Sequence, residues 1–270
     1  MGTPHHAAPA ARRHGFPQTR RKEREVLLAQ QSARQGPVAV SVLGPPAAGK
    51  SSLTATLASR HRGLIFRLRE YARHRAAHDE GLAQTMRTST DPLGWVPDPV
   101  ALSLIDHALH GPFRPSPGIL LLLEGFPGNP VQAVHTAGVL DRMGVELHVV
   151  ELLVDQESAR RRAQTRRVCP ACESGSADEP HRPATAGPDG GCARCGGPLR
   201  ARRDDTADLL AARTGRFRQH HPRIRREFQT RGVPWHTIDT RCSPAAVVAA
   251  AEAALGICPS LHPDPGALIP

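Results

Sequence analysis

The hydrophobic pattern predicts short buried strands that alternate with helices. Apolar runs of four to eight residues recur along the chain, and segments of helical composition separate them. The runs predicted as strands are residues 38–43, 63–66, 119–123, 147–154 and 235–239. This alternation predicts an α/β fold with a five-stranded parallel sheet flanked by helices.

Helices are predicted in the stretches between these strands. They cover residues 53–60, 67–87, 100–109, 131–143, 155–167, a segment that ends near 213, and residues 216–231 and 244–255. The first 36 residues are rich in Ala, Pro, His and Arg. They are predicted to form a disordered basic tail, with one helical segment around 23–33. A Pro-rich tail is predicted for residues 257–270.

The most specific motif lies between the first strand and the first helix. It fits the phosphate-binding pattern G-x-x-x-x-G-K-[ST] and consists of Gly44, Pro45, Pro46, Ala47, Ala48, Gly49, Lys50, Ser51 and Ser52. The glycines of such a loop let the backbone wrap around phosphate oxygens, and the helix that follows offers unpaired N–H groups. Lys50 is predicted to reach the β- and γ-phosphates of ATP, and Ser51 to help to hold Mg²⁺.

A carboxylate follows the most apolar strand. Residues 119–123 are continuously apolar, which is typical of a central parallel strand covered on both faces, and Glu124 comes directly after them. Open α/β sheets bind ligands at the carboxyl ends of their strands. Glu124 is therefore predicted to hold magnesium-bound water.

The composition of this 270-residue chain limits the classes of partner that it is expected to bind. The formal net charge is +10, yet the chain contains just two lysines, Lys22 and Lys50, among many arginines. A compact ammonium is thus found where the phosphate loop needs one. Aromatic residues make up 3%, too few to favour base stacking, so nucleic acid is not the expected partner. No apolar run is long enough to span a bilayer, which predicts a cytoplasmic protein without a membrane partner.

Four of the six cysteines form two C-x-x-C pairs, Cys169 with Cys172 and Cys192 with Cys195. Nineteen residues separate the pairs, a spacing typical of a closed tetrahedral Zn²⁺ site, with a disulfide or redox pair as the alternative. Four thiolates leave no open coordination position, so the zinc is predicted to be structural. The segment between the pairs is poor in apolar residues, and metal would supply its folding energy.

Arginines cluster just before the first cysteine pair. The predicted helix there contains Arg160, Arg161, Arg162, Arg166 and Arg167. Two of them, Arg162 and Arg166, are four residues apart and share one helix face. A solvated basic face is one interpretation, and contact with phosphate is the one we favour.

In combination these motifs resemble the adenylate kinase family of nucleoside monophosphate kinases, over about residues 38–255. The phosphate loop is similar to the family's G-x-P-G-x-G-K-G-T, with Ser51 in place of Gly. The segment 123–127, LEGFP, resembles the family's L-D-G-F-P, with Glu124 for Asp. The segments V-P-D at 96–98 and R-R-D-D at 202–205 resemble two further family motifs, and the cysteine pairs match its zinc-bearing lid.

The resemblance implies an organisation in three parts. A core of residues 37–256 would contain an acceptor-binding insertion at about 64–98 and a lid at about 167–201 with the Cys₄ zinc site. The protein would act as a monomer. Its activity would be phosphoryl transfer from ATP, with Mg²⁺, to a nucleoside monophosphate.

The family also implies roles for individual residues. Lys50 and the loop would hold the donor phosphates while the lid closes and excludes water. The arginines that would close over both substrates are Arg162, Arg166, Arg202 and Arg213. Asp204 and Asp205 are assigned to the donor side, where they would help to anchor the closed lid. The acceptor would be bound by Arg69, Val96, Gly125, Gln132, Arg202 and Arg213.

The acceptor side departs from the family pattern. The family's Thr-Gly-Asp is absent near residues 64–67, and Gly128 stands where an arginine usually binds the acceptor phosphate. Arg67, Arg69 and Arg73 are candidates to replace that charge. AMP is therefore not a secure choice of acceptor.

These departures keep three alternatives open. One is a kinase for an unusual phosphorylated small molecule in a specialised pathway. Another is a zinc-ribbon protein that binds nucleic acid and has a regulatory nucleotide site. The third is a relative that binds ATP without catalysis.

Overall fold

The computed structural model describes residues 36–89, 91, 93–172 and 182–257. Most of the predicted basic tail, with its helical segment around 23–33, lies outside the described residues, as does the predicted C-terminal tail from residue 258 onward.

Seven strands of the described residues form two sheets. The strands are β1 (Val38–Leu43), β2 (Gly63–Phe66), β3 (Leu120–Glu124), β4 (Glu146–Leu153), β5 (Arg167–Val168), β6 (Arg200–Ala201) and β7 (Trp235–Asp239). Five of them form a parallel sheet in the order β2-β3-β1-β4-β7, which confirms the predicted fold class. The short strands β5 and β6 pair antiparallel, with Arg167 opposite Ala201.

Eight helices surround the sheet in the part of the chain that the structure describes. They are α1 (Lys50–His61), α2 (Leu68–Ala76), α3 (Glu80–Ser89), α4 (Asp98–His110), α5 (Pro130–Arg142), α6 (Gln156–Thr165), α7 (Ala207–Gln229) and α8 (Pro244–Leu255). A 3₁₀ turn, Arg203–Asp205, precedes α7. None of the helices in the described ranges combines the length and the apolar character that crossing a membrane requires.

Two helix predictions were wrong in their boundaries. The single helix predicted for residues 67–87 is interrupted between α2 and α3, where the Asp79 carboxylate accepts the Leu82 N–H at 3.0 Å and so begins a new helix. The two helices predicted on either side of residues 213–216 are one continuous helix, α7, which passes through Gly215 and Pro222. Tertiary packing outweighs these weak helix formers, because α7 lies against α5 and buries Ile224 and Phe228.

The burial of strand β3 explains why its residues are apolar without interruption. Its Leu121 and Leu123 belong to the core on one face of the sheet, together with residues of α4, α5 and α7. Its Leu120 and Leu122 belong to the core on the opposite face, with residues of α1 and α8. Both faces of the strand are covered, as expected for a central parallel strand.

The parallel register brings three functional segments to one edge of the sheet. Val42 of β1 lies opposite Glu124 of β3, and Phe66 of β2 lies opposite Leu123. The residues that directly follow β1 and β2 therefore meet the end of β3. This edge is where open α/β sheets bind ligands.

Candidate active site

The phosphate loop follows β1 and needs glycine at its start. Gly44 has a φ of 146°, and a Cβ there would lie 2.8 Å from the Leu152 carbonyl oxygen. Gly49, with a φ of 102°, directly precedes α1. These left-handed conformations suit glycine and curve the loop tightly. The Lys50 ammonium is held inside the curve, where its Nζ donates to the carbonyl oxygens of Gly44 at 2.8 Å and Pro45 at 2.9 Å.

Lys50 is an unusual lysine electrostatically. Burial and the nearby positive charges of Arg213, Arg166 and Arg202 together lower its pKa to about 7, although Glu124 opposes the shift in part. Removal from water and crowding by like charges both disfavour the ammonium. An anion such as a phosphate group placed beside Lys50 would favour its charged form.

Glu124 is at the centre of a hydrogen-bond cluster at the end of β3. Its Oε1 accepts from Ser51 Oγ at 2.5 Å, and its Oε2 accepts from Thr54 Oγ1 at 2.7 Å and from Arg67 Nε at 2.9 Å. Burial acts to raise the pKa of Glu124, but the Arg67 guanidinium and the two hydroxyls outweigh it and lower the pKa to about 2. The carboxylate therefore stays ionised. Ser51 and Glu124 together offer the hard oxygen donors that suit Mg²⁺.

Sequence reasoning missed two members of this cluster. Thr54 was given no role, and Arg67 was weighed as an acceptor-side residue. The structure instead pairs Arg67 with Glu124 and with Glu70, whose Oε2 lies 3.2 Å from Arg67 Nη1. The order of the strands could have revealed the first pair, because Arg67 follows β2, the neighbour of β3.

A cavity of about 630 Å³ opens over this edge of the sheet. The described residues that line it include Lys50, seven arginines and two glutamates. The seven arginines are Arg67, Arg69, Arg162, Arg166, Arg202, Arg213 and Arg216. Such an excess of positive charge in one concave site favours polyanionic ligands.

Two aspartates of the 3₁₀ turn organise the arginines opposite the phosphate loop. Asp205 binds Arg166 through two hydrogen bonds of 2.6 and 2.7 Å. Asp204 Oδ2 lies 3.1 Å from Arg202 Nη2 and 3.7 Å from Arg213 Nη1.

Arg69 approaches the same Asp204 oxygen at 3.7 Å. One carboxylate thus faces three guanidinium groups. Burial and the neighbouring Arg202 together lower the pKa of Arg213 to about 10, although Asp204 and Asp205 oppose the shift. The arginines of this cluster outnumber its two aspartates, so the cluster has a net positive charge.

Arg162 lies apart from this cluster. Its Nη1 donates to Thr240 Oγ1 at 3.1 Å, and its Nη2 donates to the Thr240 carbonyl oxygen at 2.5 Å. Apolar residues of α8, Val247 and Val248, line the same cavity.

The predicted acceptor residues are largely engaged with the protein itself. Gln132 is 1% exposed. Its Oε1 accepts the Gly128 N–H at 2.9 Å and its Nε2 donates to Asp98 Oδ1 at 3.0 Å. Val96 is buried at 3% exposure, and Gly125 adopts a φ of 64° close to the side chain of Lys50. All three line the cavity. The polar atoms of the Gln132 side chain, however, are hydrogen-bonded to the protein itself.

The four cysteine sulfurs form a compact cluster. All four Sγ atoms of Cys169, Cys172, Cys192 and Cys195 lie within 4.8 Å of one another. The closest pairs are 3.4 to 3.7 Å apart. Four sulfurs at about 2.3 Å from one tetrahedral ion would be about 3.8 Å apart, so the cluster has the right size to hold Zn²⁺.

The fold and this cavity define a P-loop nucleotide-binding protein of the α/β class. An adenylate kinase of Acidothermus cellulolyticus is 31% identical over 216 residues, which are 79% of this chain and 96% of the relative. Adenylate kinases of Novosphingobium aromaticivorans and Salinispora tropica are 27% and 30% identical, over 80% and 64% of this chain and 98% and 77% of their own lengths. No family model matches the sequence.

The chain belongs to the adenylate kinase family. That membership supports a kinase in general terms but does not specify the acceptor.

Proposed function

We propose that this protein transfers the γ-phosphoryl group of ATP to a nucleoside monophosphate. The observation that carries the proposal is a single cavity in which the Lys50 loop and the Ser51–Glu124 pair face a cluster of arginines. Phosphoryl transfer requires little covalent chemistry from a protein. It depends on alignment and on positive charge around the moving group, and this cavity offers both.

The phosphate loop forms the donor side. Lys50 and the backbone N–H groups at the start of α1 would bind the β- and γ-phosphates of ATP. Ser51 and Glu124 would hold Mg²⁺, which neutralises charge on the phosphate oxygens. Arg162, which is hydrogen-bonded to Thr240, lines the same cavity and would close over the bound substrates.

The arginines at the opposite wall would stabilise the transferred group. Arg166, Arg202 and Arg213 surround Lys50 closely enough to lower its pKa, so their charges converge on one region. Asp204 and Asp205 hold these arginines through ion pairs, and so they would preorganise the site.

The Cys₄ cluster would hold a structural Zn²⁺ in the lid. Each C-x-x-C pair belongs to a tight turn. Cys172 donates its N–H to the Cys169 carbonyl at 3.2 Å, and Gly196 donates to the Cys192 carbonyl at 2.7 Å. With its four positions filled by thiolates, the metal would stabilise the module between β5 and β6 and take no part in transfer.

A phosphorylated acceptor other than AMP is the second candidate. The observation in its favour is that both polar ends of Gln132 are already hydrogen-bonded to Gly128 and Asp98. A side chain so engaged is poorly placed to read the edge of an adenine.

The test is ADP formation from Mg-ATP in the presence of AMP, CMP, UMP or GMP, with a reaction that lacks acceptor as the control. We expect at least one acceptor to raise the rate well above the control. Equal rates with and without every acceptor would overturn the proposed reaction.

A further inference from the structure

Position 128 has no room for a side chain. A Cβ built on Gly128 would lie 2.4 Å from Cη2 of Trp95 and 3.1 Å from two neighbouring ring carbons. These are atoms of a rigid indole and not the end of a flexible chain. Any larger residue at 128 would have to displace Trp95, so the two positions form a matched pair.

Trp95 in turn supports an arginine from a distant helix. The Arg216 guanidinium carbon lies 4.7 Å from the centre of the indole ring, and the His220 ring stacks on the indole at 5.9 Å. Both residues come from α7. The helix therefore places a positive charge on the aromatic surface that fills the space beside Gly128.

Asp91 fixes this arrangement from the other side. Its Oδ2 accepts from Arg216 Nη2, and its Oδ1 accepts the backbone N–H groups of Leu93 and Trp95 at 2.9 and 2.8 Å. The loop that contains Trp95 and the helix that contains Arg216 are thus joined through one carboxylate.

Arg216 has unused hydrogen-bonding capacity beside the cavity. Its side chain is 27% exposed and lines the cavity that contains Lys50 and Gly128. Its Nη1 is buried and has no hydrogen-bond partner among the described residues. A buried charged N–H without a partner is costly, and an oxygen of a bound anion would remove that cost.

Two of the three arginines named as candidates to replace the missing charge, Arg67 and Arg69, are already engaged. Arg67 binds Glu124 and Glu70, and Arg69 shares Asp204 with Arg202 and Arg213. Within the described ranges, Arg216 is hydrogen-bonded to Asp91 through one nitrogen, Nη2.

We propose that Arg216 binds the acceptor phosphate in place of a side chain at position 128, with Trp95 as its platform. When the acceptor binds, Nη1 donates a hydrogen bond to a phosphate oxygen. The inference rests on the proposed function. It adds that Arg216, a residue of helix α7, is the one that binds the acceptor, which is a phosphate monoester.

The first experiment compares ligand binding by two variants, Arg216→Ala and, as the control, Arg226→Ala, which removes an exposed arginine of the same helix. Titration calorimetry gives the Kd for each of AMP, CMP, UMP and GMP and, separately, for Mg-ATP. For the nucleotide that the unaltered protein binds best, we expect Arg216→Ala to weaken binding by about 30-fold or more, the size of a lost charge-assisted contact. The Kd for Mg-ATP should change by less than about 2-fold, and Arg226→Ala should change neither.

The second experiment moves the charge. The triple variant Arg216→Ala, Trp95→Leu, Gly128→Arg opens the space beside position 128 and places a guanidinium there. We expect it to regain about 10-fold in acceptor affinity over Arg216→Ala, whereas Gly128→Arg alone, with Trp95 in place, should not bind better than the unaltered protein. A purely structural role for Arg216 would not be rescued by a charge at a different position.

The outcomes separate the two proposals. If the unaltered protein binds a nucleoside monophosphate and Arg216→Ala binds it within about 3-fold as well, the role of Arg216 is wrong while the proposed reaction stands. Equal losses for Mg-ATP and for the monophosphate would also overturn it, because the residue would then act on the fold. If the unaltered protein binds Mg-ATP but none of the four monophosphates, the proposed reaction fails and the assignment of Arg216 fails with it.

Discussion

The proposed donor and acceptor halves of the cavity are built in different ways. The donor half comes from residues close together in the chain or on neighbouring strands, and Lys50, Ser51 and Glu124 are positioned by β1, α1 and β3. The acceptor half is assembled from distant segments, where Gly128 accommodates Trp95 and Trp95 supports Arg216. The comparison teaches that the proposed donor half depends on local sequence, whereas the proposed acceptor half depends on contacts between segments far apart in the chain.

The largest effect is expected from the donor half. Lys50→Ala removes the ammonium that the loop surrounds, and acceptor-dependent ADP formation should fall by about 10³-fold or more. Circular dichroism should be unchanged, since the hydrogen bonds that Lys50 makes to described residues go to two loop carbonyls. Lys22→Ala, at the chain's other lysine, is the matched control and should be fully active. Substantial turnover by Lys50→Ala would contradict the donor assignment.

Metal removal should affect both halves together. Removal of the proposed Zn²⁺ from Cys169, Cys172, Cys192 and Cys195 would unfold the proposed lid module. We therefore expect transfer to fall by about 100-fold and protease cleavage to appear between residues 168 and 200. Metal content and cleavage sites are measured by mass spectrometry. A metal-free protein with a protease-resistant lid and full activity would show that the cluster is not a structural zinc site.

A smaller change isolates the acceptor half. Gly128→Ala drives a methyl group into Trp95, and we expect it to lower the free energy of unfolding by about 1–3 kcal/mol and to raise the acceptor KM, with the KM for ATP unchanged. In a Trp95→Leu background the same change should be nearly neutral, and this double-mutant cycle reports the coupling. Gly215→Ala, where a Cβ meets nothing within 4 Å, is the control. Additive effects in the cycle would mean that the two positions are not matched.

The pH dependence of ligand binding should differ between the donor half and the acceptor half. Because the pKa of Lys50 is about 7 without ligand and phosphates raise it, Mg-ATP binding should take up a proton above pH 7. Between pH 8 and 9.5 the Kd for Mg-ATP should rise by nearly 10-fold per pH unit. Acceptor binding should vary less. Calorimetry in buffers of different ionisation enthalpy measures the proton uptake, and a pH-independent Kd would show that Lys50 remains charged in the unliganded site.

The smallest effect concerns a strained residue of the donor loop. Ala47 has a φ of 62°, a left-handed conformation that costs a non-glycine residue about 1 kcal/mol. Ala47→Gly should relieve this strain. Because glycine also gives the unfolded chain more freedom, the net increase in the free energy of unfolding, measured with urea, should be less than about 1 kcal/mol. The Kd for Mg-ATP should stay the same. A loss of more than about 1 kcal/mol would mean that the Ala47 methyl group has a packing role.

The sequence predicted what depends on local pattern. The five strands of the parallel sheet, the phosphate loop and the cysteine spacing are all encoded within short segments, and the structure has them where the pattern indicates. The join between α2 and α3 was missed because the Asp79 cap carries little signal inside a run of helix formers. Contacts between remote segments, such as Arg67 with Glu124 and Trp95 with Gly128, required the order of the strands and the packing of α7.

The most direct test follows the fate of the γ-phosphoryl group. The protein is incubated with Mg-ATP labelled at the γ-phosphate and with each nucleoside monophosphate, and the products are separated. If the donor loop and the arginine cluster act on two bound nucleotides, the label should appear in a nucleoside diphosphate, with little in inorganic phosphate. Label that remains in ATP, or passes only to inorganic phosphate whichever acceptor is present, would contradict the assignment of this cavity to phosphoryl transfer between nucleotides.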